Sequence, residues 1–194
     1  LLRKIHDVQA LPSISPYLSS ENKNIRKEAV ITLRYLNQLT HFTPANTLAD
    51  DPDQEVRKET MLTLGNFRED CIVPILCNSL GNDESWEVRR NAAIALEMHG
   101  DNSSSKSLSS AISDLHWQVR KFSMRALTKV LSEEYLGEIV KLLCDDYSDV
   151  RKEAAIALGL LGSKKAIPPL KQSLDDADIE VRIQSQKALE KLNV

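Results

Sequence analysis

The sequence predicts an all-α protein, a right-handed α-solenoid (superhelix) of about six two-helix repeats. Three observations predict it. An apolar–arginine pair recurs at near-constant spacing through the chain. Residues at fixed offsets from each pair are apolar or small with a helical period. Apolar residues make up 42% of the 194 positions but aromatics only 5%, so Leu and Ala carry the load, a composition that favours helices over strands.

The pairs are Ile25-Arg26, Val56-Arg57, Val88-Arg89, Val119-Arg120, Val150-Arg151 and Val181-Arg182, spaced by 31, 32, 31, 31 and 31 residues. With the apolar member as position 0, a leucine stands at +8 in every copy: Leu33, Leu64, Leu96, Leu127, Leu158 and Leu189. Position +7 is small (Thr32, Thr63, Ala95, Ala126, Ala157, Ala188), and so is +4 (Ala29, Thr60, Ala92, Ser123, Ala154, Ser185). Columns 0, +4, +7, +8 and +11 fall on one stripe of an α-helix. The small residues let a neighbouring helix approach closely, and the leucine fills the space between. This is the second helix of each repeat.

A shorter amphipathic segment precedes it. Its clearest copies are Leu11 to Leu18, Leu136 to Leu143 and Ile167 to Leu174. Pro12, Pro74 and Pro168 fall near the start of these first helices, where a missing N–H costs least. The first helix of the second copy, about Thr43 to Asp50, is short; that of the fourth, Asp101 to Ser110, is serine-rich and is placed by register. Polar turns join the two helices. Asp53, Ser85 and Asp178 are candidate N-caps, and Gly100 and Gly162 candidate C-terminal stops. A 31-residue hairpin cannot bury its stripe alone, but stacked hairpins bury it continuously. The expectation is one domain over 1–194, with repeats at approximately 7–38, 39–68, 69–100, 101–131, 132–162 and 163–194.

Position −5 is Asp51, Asp83, Asp114, Asp145 or Asp176, with Ser20 in the first copy. An arginine at each second-helix start and an aspartate six residues before it suit a ladder of Asp–Arg pairs joining the turns of successive repeats. That architectural reading is preferred to a functional one for the +1 arginines.

A net charge of −3 and a pI near 5.9 give no global attraction for nucleic acid or anionic membrane, and no apolar run approaches a membrane span. Cys71, Cys77 and Cys144 match no metal or redox spacing; they read as small residues on or near helix cores, reduced in a cytoplasmic setting. His6, His41, His99 and His116 occupy different repeat positions and form no i,i+4 pair. Phosphate-loop, nucleophile-elbow and dinucleotide motifs are absent from the sequence. The opening Leu1-Leu2-Arg3 reads like the tail of a helix, as in a piece of a longer solenoid, rather than a targeting signal.

The repeat, and above all Asp149 to Gly159 (DVRKEAAIALG), resembles the HEAT-like repeats of the phycobilisome-lyase type over nearly the whole chain. The resemblance is specific for fold and weak for function, because that family includes enzymes, enzyme partners and scaffolds. Its deoxyhypusine hydroxylase holds two irons on His-Glu pairs at +2 and +3. Here those positions read Lys27-Glu28, Lys58-Glu59, Arg90-Asn91, Lys121-Phe122, Lys152-Glu153 and Ile183-Gln184. An ammonium group cannot replace imidazole as an iron ligand, so the sequence rejects a di-iron oxygenase. No catalytic residue, metal or cofactor is assigned.

Positions −2, −1, +2, +3 and +6 lie side by side on the helix face away from the core stripe. In families of this appearance that face lines the concave surface, and engineered relatives vary it to make binders. Both tryptophans, Trp86 and Trp117, stand at −2 in adjacent central copies. Arg90, Ile94, Lys121, Phe122, Arg125 and Lys152 occupy the neighbouring columns. Trp and Arg are enriched at interface hot spots; as an alternative, the tryptophans are large fillers packed on the next turn. Five of six +2 residues are basic. They read as a cationic ladder for an acidic peptide, or as a solvated stripe neutralised by Glu28, Glu59 and Glu153, with Arg90, Lys121 and Arg125 less compensated.

These readings give an interaction scaffold that binds a peptide or partner protein, acidic in character, on the concave second-helix face. The alternative implied by the resemblance is a phycobilin lyase-like subunit, holding a tetrapyrrole and its acceptor protein. A third class, a DNA alkyl-base glycosylase, needs a basic concave surface, which the acidic pI and interleaved glutamates oppose.

Overall fold

A computed structural model describes residues 8–36 and 43–193; His6 and His41 lie outside them. The described residues form α-helices and 3-10 helices, with no strand among them. The chain divides into two compact units, residues 1–104 and 105–194, each holding three of the expected copies.

In the first unit the second helices are α2 (Lys23–Arg34), α3 (Gln54–Leu64) and α5 (Trp86–His99). α3 packs between α2 and α5. The first helices of this unit are α1 (Leu11–Ile14), continued by a 3-10 segment Ser15–Ser19, and α4 (Ile72–Asn82). In the second copy the short segment is entirely 3-10, Thr43–Asp50. In the second unit α7 (Trp117–Leu127), α9 (Ser148–Leu161) and α11 (Ile179–Lys191) pack in that order, with α6 (Ser105–Ala111), α8 (Leu136–Lys141) and α10 (Ile167–Gln172) as their first helices. The serine-rich segment of the fourth copy is therefore helical. Pro12 and Pro168 stand in the first turn of α1 and α10, and Pro74 is the third residue of α4.

The inner stripe is buried as the period requires. Val56, Val88, Val119, Val150 and Val181 are fully buried, as are the +8 leucines and nearly all of the small residues at +4 and +7. Gly159 marks how closely the helices approach: a Cβ there would come 2.8 Å from the Cα of Ala188 on α11. Column +5, not counted in the stripe, is also core: Val30, Met61, Ala93, Met124 and Ala155 are all fully buried. Each second helix faces its own first helix as well as its neighbours, so its apolar face is wider than one stripe. Ile25 departs from its column at 40% exposed. The side of α2 on which it lies opens into an apolar cleft of about 370 Å³, lined by Ile14, Tyr17, Ile25 and Ala29.

The turns follow one hydrogen-bonding scheme. The −5 aspartate accepts the backbone N–H two residues on, as Asp51 does from Asp53, Asp83 from Ser85, Asp114 from His116, Asp145 from Tyr147 and Asp176 from Asp178. The arginine at +1 donates through Nη1 to the carbonyl of its own turn's −5 residue, at 2.8 Å for Arg151 to Asp145. Its Nε and Nη2 reach forward to the next copy's carboxylate. Arg26 grips Asp51 at 2.6 and 2.8 Å, Arg57 grips Asp83 at 2.8 and 3.1 Å, Arg120 grips Asp145 at 2.6 and 2.8 Å, and Arg151 grips Asp176 at 2.8 Å twice. The expected ladder is present, with a division of labour. Arg57, Arg120 and Arg151 each take the backbone of the aspartate before them and the carboxylate of the aspartate after them. Bidentate pairing suits this geometry, and Arg151 holds the Asp176 carboxyl below its ordinary range.

Two local expectations need correction. Asp53 and Asp178 cap their helices through the side chain, but Ser85 does not. Its N–H is held by Asp83, and its own hydroxyl makes no capping bond. Asn22 and His116 do cap, the latter through Nδ1 at 3.3 Å from the Gln118 N–H. The cysteines are not core residues: Cys71 and Cys144 are exposed and Cys77 half-buried, whereas Ile72, Leu76 and Leu80 of α4 and Leu143 beside Cys144 are buried. Gly100 and Gly162 end α5 and α9 in the left-handed conformation, with φ of 60° and 73°, as expected of C-terminal stops.

Candidate interaction surface

The outer columns of the second helices carry the variable chemistry. In the first unit, α5 begins at Trp86, and one turn later the Arg90 guanidinium lies 5.3 Å from the Trp86 ring centroid. Arg90 is held there by Asn91, whose Oδ1 accepts from Nε at 3.1 Å and from Nη2 at 3.0 Å. Asn91 is itself buried and donates to the Lys58 carbonyl of α3 at 3.0 Å. Ile94, one turn beyond Arg90, is half-buried.

In the second unit, α7 begins at Trp117. Its ring stacks on Tyr147, from the turn before α9, with centroids 5.0 Å apart and planes 11° from parallel. His116 stacks on Trp117 more loosely, at 6.3 Å. The Lys121 ammonium lies 6.0 Å from the Trp117 ring and 5.8 Å from Phe122. Arg125 lies 5.4 Å from Phe122. Such cation–π contacts orient the charged heads without removing them from water. Lys152, one copy further, is half-buried on α9.

Each site residue thus stands on the outer columns of a second helix. Trp86, Arg90 and Ile94 come together on α5; Trp117, Lys121, Phe122 and Arg125 come together on α7.

The charge pattern differs from the sequence expectation. Lys58, Lys121 and Lys152 pair with carboxylates of the −1 column. Lys58 is 2.8 Å from Glu55 and 3.8 Å from Glu87. Lys121 is 3.0 Å from Asp149, and Lys152 is 3.2 Å from the same carboxylate. Lys121 is therefore compensated, contrary to expectation. Glu59, assigned to Lys58 from sequence, pairs instead with Arg34 at 2.6 Å. The reason is helical geometry: +2 and +3 are adjacent and diverge by about 100°, whereas −1 and +2 lie one turn apart on one face.

Sequence reasoning missed Tyr147 and Asp149. Tyr147 had a visible signal, since an aromatic stands at −3 where Asn22, Asp53 and Asp178 are caps. Asp149 stood in the −1 column but was not matched to the lysines on either side. Among the described residues no group of three or more His, Cys, Asp and Glu side chains could hold a metal ion, and no helix is long and apolar enough to cross a membrane.

Comparison with known proteins agrees with this architecture. No curated protein matches the sequence. Among solved structures, a designed armadillo repeat protein in complex with the peptide (KR)4 superposes with a TM-score of 0.73 at 23% identity, covering 94% of this chain and 99% of the other. An engineered protein gives 0.73 at 22% identity, over 93% and 95% of the two chains. The CpcE–CpcF complex of phycocyanin lyase from Nostoc sp. gives 0.58 at 16% identity, over 97% and 84%. These likenesses show the fold. The family model for HEAT repeats matches residues 44–114 and 105–190, most of the sequence, and the chain belongs to the HEAT-repeat family.

Proposed function

We propose that this chain is a protein-interaction scaffold that binds a peptide or partner protein on the outer columns of its second helices. The observation that carries the reading is the contrast within single helices. The buried columns repeat nearly unchanged, while the outer columns vary, and in the middle copies they bring aromatic rings and cationic heads together, as Trp117, Lys121, Phe122 and Arg125 do on α7. A purely structural surface has no need of half-exposed Trp and Arg in these positions, and such groups are the common anchors of interfaces. Trp86, Arg90 and Ile94 are the corresponding anchors on α5, and Lys152 extends the set onto α9.

The similar designed armadillo repeat protein, in complex with a peptide, supports peptide binding as a use of this fold. The lyase complex supports a subunit role only at the level of fold. No observation on the outer columns favours a tetrapyrrole over a peptide. Mixing the purified chain with a phycobilin tests that alternative: a shift of the bilin absorbance band would favour it over the scaffold.

The scaffold reading is tested by affinity capture with the native chain, with Trp117→Ala, with Arg125→Glu, and with Lys171→Glu on a first helix as control. Loss of a captured protein in the first two variants only, with unchanged helical circular dichroism, supports the reading. Retention in both outer-face variants contradicts it.

A further inference from the structure

The C-terminal turns of the second helices carry different chemistry in the two units. Columns +6 and +10 are i,i+4 neighbours on the outer face. In the first unit they read Ile31-Tyr35, Leu62-Asn66 and Ile94-Met98, without a charge. In the second they read Arg125-Lys129, Ile156-Leu160 and Lys187-Lys191. Lys129 follows the end of α7, and its N–H still bonds back to the Ala126 carbonyl, which keeps it near its column. Because α9 packs between α7 and α11, both rows run basic, aliphatic, basic. Leu160 is 50% exposed, and Lys129, Lys187 and Lys191 are exposed as well.

The surrounding charges leave a surplus on these rows. In the N-terminal half of the same face, Lys121 and Lys152 meet Asp149, with Asp178 and Glu180 close by at the start of α11, so that half carries no positive excess. In the turns beyond the helices, Lys164 and Lys165 stand with Glu133 and Glu134, and Lys165 is 3.3 Å from Glu133. On the rows themselves Arg125 lies against Phe122, Glu153 is engaged, and Glu190 accepts the Gln186 amide at 3.2 Å. Lys129, Lys187 and Lys191 make no ion pair among the described residues. Arg125, Lys129, Lys187 and Lys191 against Glu153 and Glu190 make this patch net positive in a chain whose net charge is −3. A cation in the last turn suits a helix C-terminus. That accounts for one basic residue per helix, but not for a second one four residues away on both flanking helices and none on α9.

Building on the scaffold reading, we infer that this patch takes an extended acidic peptide segment that crosses the three helices. An aliphatic side chain of the segment lies over Ile156 and Leu160. One acidic residue reaches Lys129 on one side, and another reaches Lys187 and Lys191 on the other. Helices stacked about 8–10 Å apart set neighbouring columns about three extended residues from each other. The segment is therefore acidic-x-x-aliphatic-x-x-acidic. A nucleic-acid strand would use aromatic platforms beside the cations, and neither row of this unit has an aromatic residue.

The test is selection of a random displayed peptide library on the purified chain, followed by measurement of Kd for the selected sequences as synthetic peptides. Enriched peptides should carry two acidic residues about six positions apart with an aliphatic residue between them. Kd should rise about tenfold or more in Lys187→Glu/Lys191→Glu and in Leu160→Ser, and should rise with salt concentration. It should stay near the native value in Lys187→Arg/Lys191→Arg and in the first-helix control Lys171→Glu. Three results overturn the inference: no enrichment, a consensus without acidic residues, or peptides indifferent to the lysine reversal. Peptides lost in Trp117→Ala but indifferent to the lysine reversal would overturn this patch while leaving the scaffold reading standing. Indifference to both would remove both. Two further outcomes also overturn it. A concentration-dependent dimer in light scattering that Lys187→Glu/Lys191→Glu dissolves would put a second copy on the patch. A single-stranded oligonucleotide bound by the native chain and released by the same variant, with no peptide enriched, would assign the lysines to phosphate.

Discussion

The two faces of each second helix obey different rules. On α9 the inner face reads Val150, Ala154, Ala157 and Leu158, fully buried and almost interchangeable with α5 or α11. The outer face of the same helix reads Ser148, Asp149 and Lys152, where α7 has Trp117, Gln118 and Lys121 and α11 has Ile179, Glu180 and Ile183, so only the lysine is shared. Stacking imposes the inner rule, because each helix presents the same stripe to the next and a change in one copy must fit two partners. Nothing comparable constrains the outer face. Regularity therefore marks what holds the repeats together, and departure from regularity marks where a partner is read.

Truncation on the inner face should have the largest effect. Leu127→Ala or Leu158→Ala leaves a cavity between stacked helices and is expected to cost about 2–5 kcal/mol in urea unfolding. A cost below 1 kcal/mol, on the order of a surface change, would break the comparison. The ladder comes next. Arg151→Ala strips the Asp176 carboxylate of its bidentate partner and is expected to cost about 2–4 kcal/mol, a buried pair discounted for partial exposure. The same pair gives the chain an acid limit. Asp176 is held below its ordinary value by Arg151, so its contribution is complete above the unfolded carboxyl pKa and is lost as pH falls through the folded one. Arg151→Ala should flatten that part of the acid-unfolding curve. Gly159→Ala is expected to cost about 1–3 kcal/mol by crowding Ala188. The smallest effect belongs to Ser123→Ala. The Ser123 hydroxyl is buried without a hydrogen-bond partner, so its removal should be neutral or slightly stabilising.

The fold was legible because the signal was repeated. Columns 0, +4, +7 and +8 agree over six copies, and the Asp–Arg spacing reveals the ladder before any coordinates. Column +5 was missed because its residues vary in size from Ala93 to Met61, and Gln186 occupies it in the last copy. The outer face was legible as a set of positions but not as a set of pairs. Sequence spacing places Lys58 next to Glu59, and only the helical turn shows that Glu55 and Glu87 are its partners. The convergence of Lys121 and Lys152 on Asp149 spans two helices and has no signature within either. Ile25, counted with the core because it matches its column, is exposed because burial depends on what covers a helix and not on the helix alone.

Trp117 decides between the two rules, since it stands on the outer face yet stacks on the following turn. The most direct measurement is the urea unfolding free energy of Trp117→Ala, set beside that of Leu127→Ala on the same helix. If Trp117 serves recognition, its removal should cost no more than about 1.5 kcal/mol, the range of an aromatic pair contact, while Leu127→Ala costs at least twice as much. A cost for Trp117→Ala equal to that of Leu127→Ala would make the tryptophan a structural filler between repeats and contradict the assignment of this face to a partner.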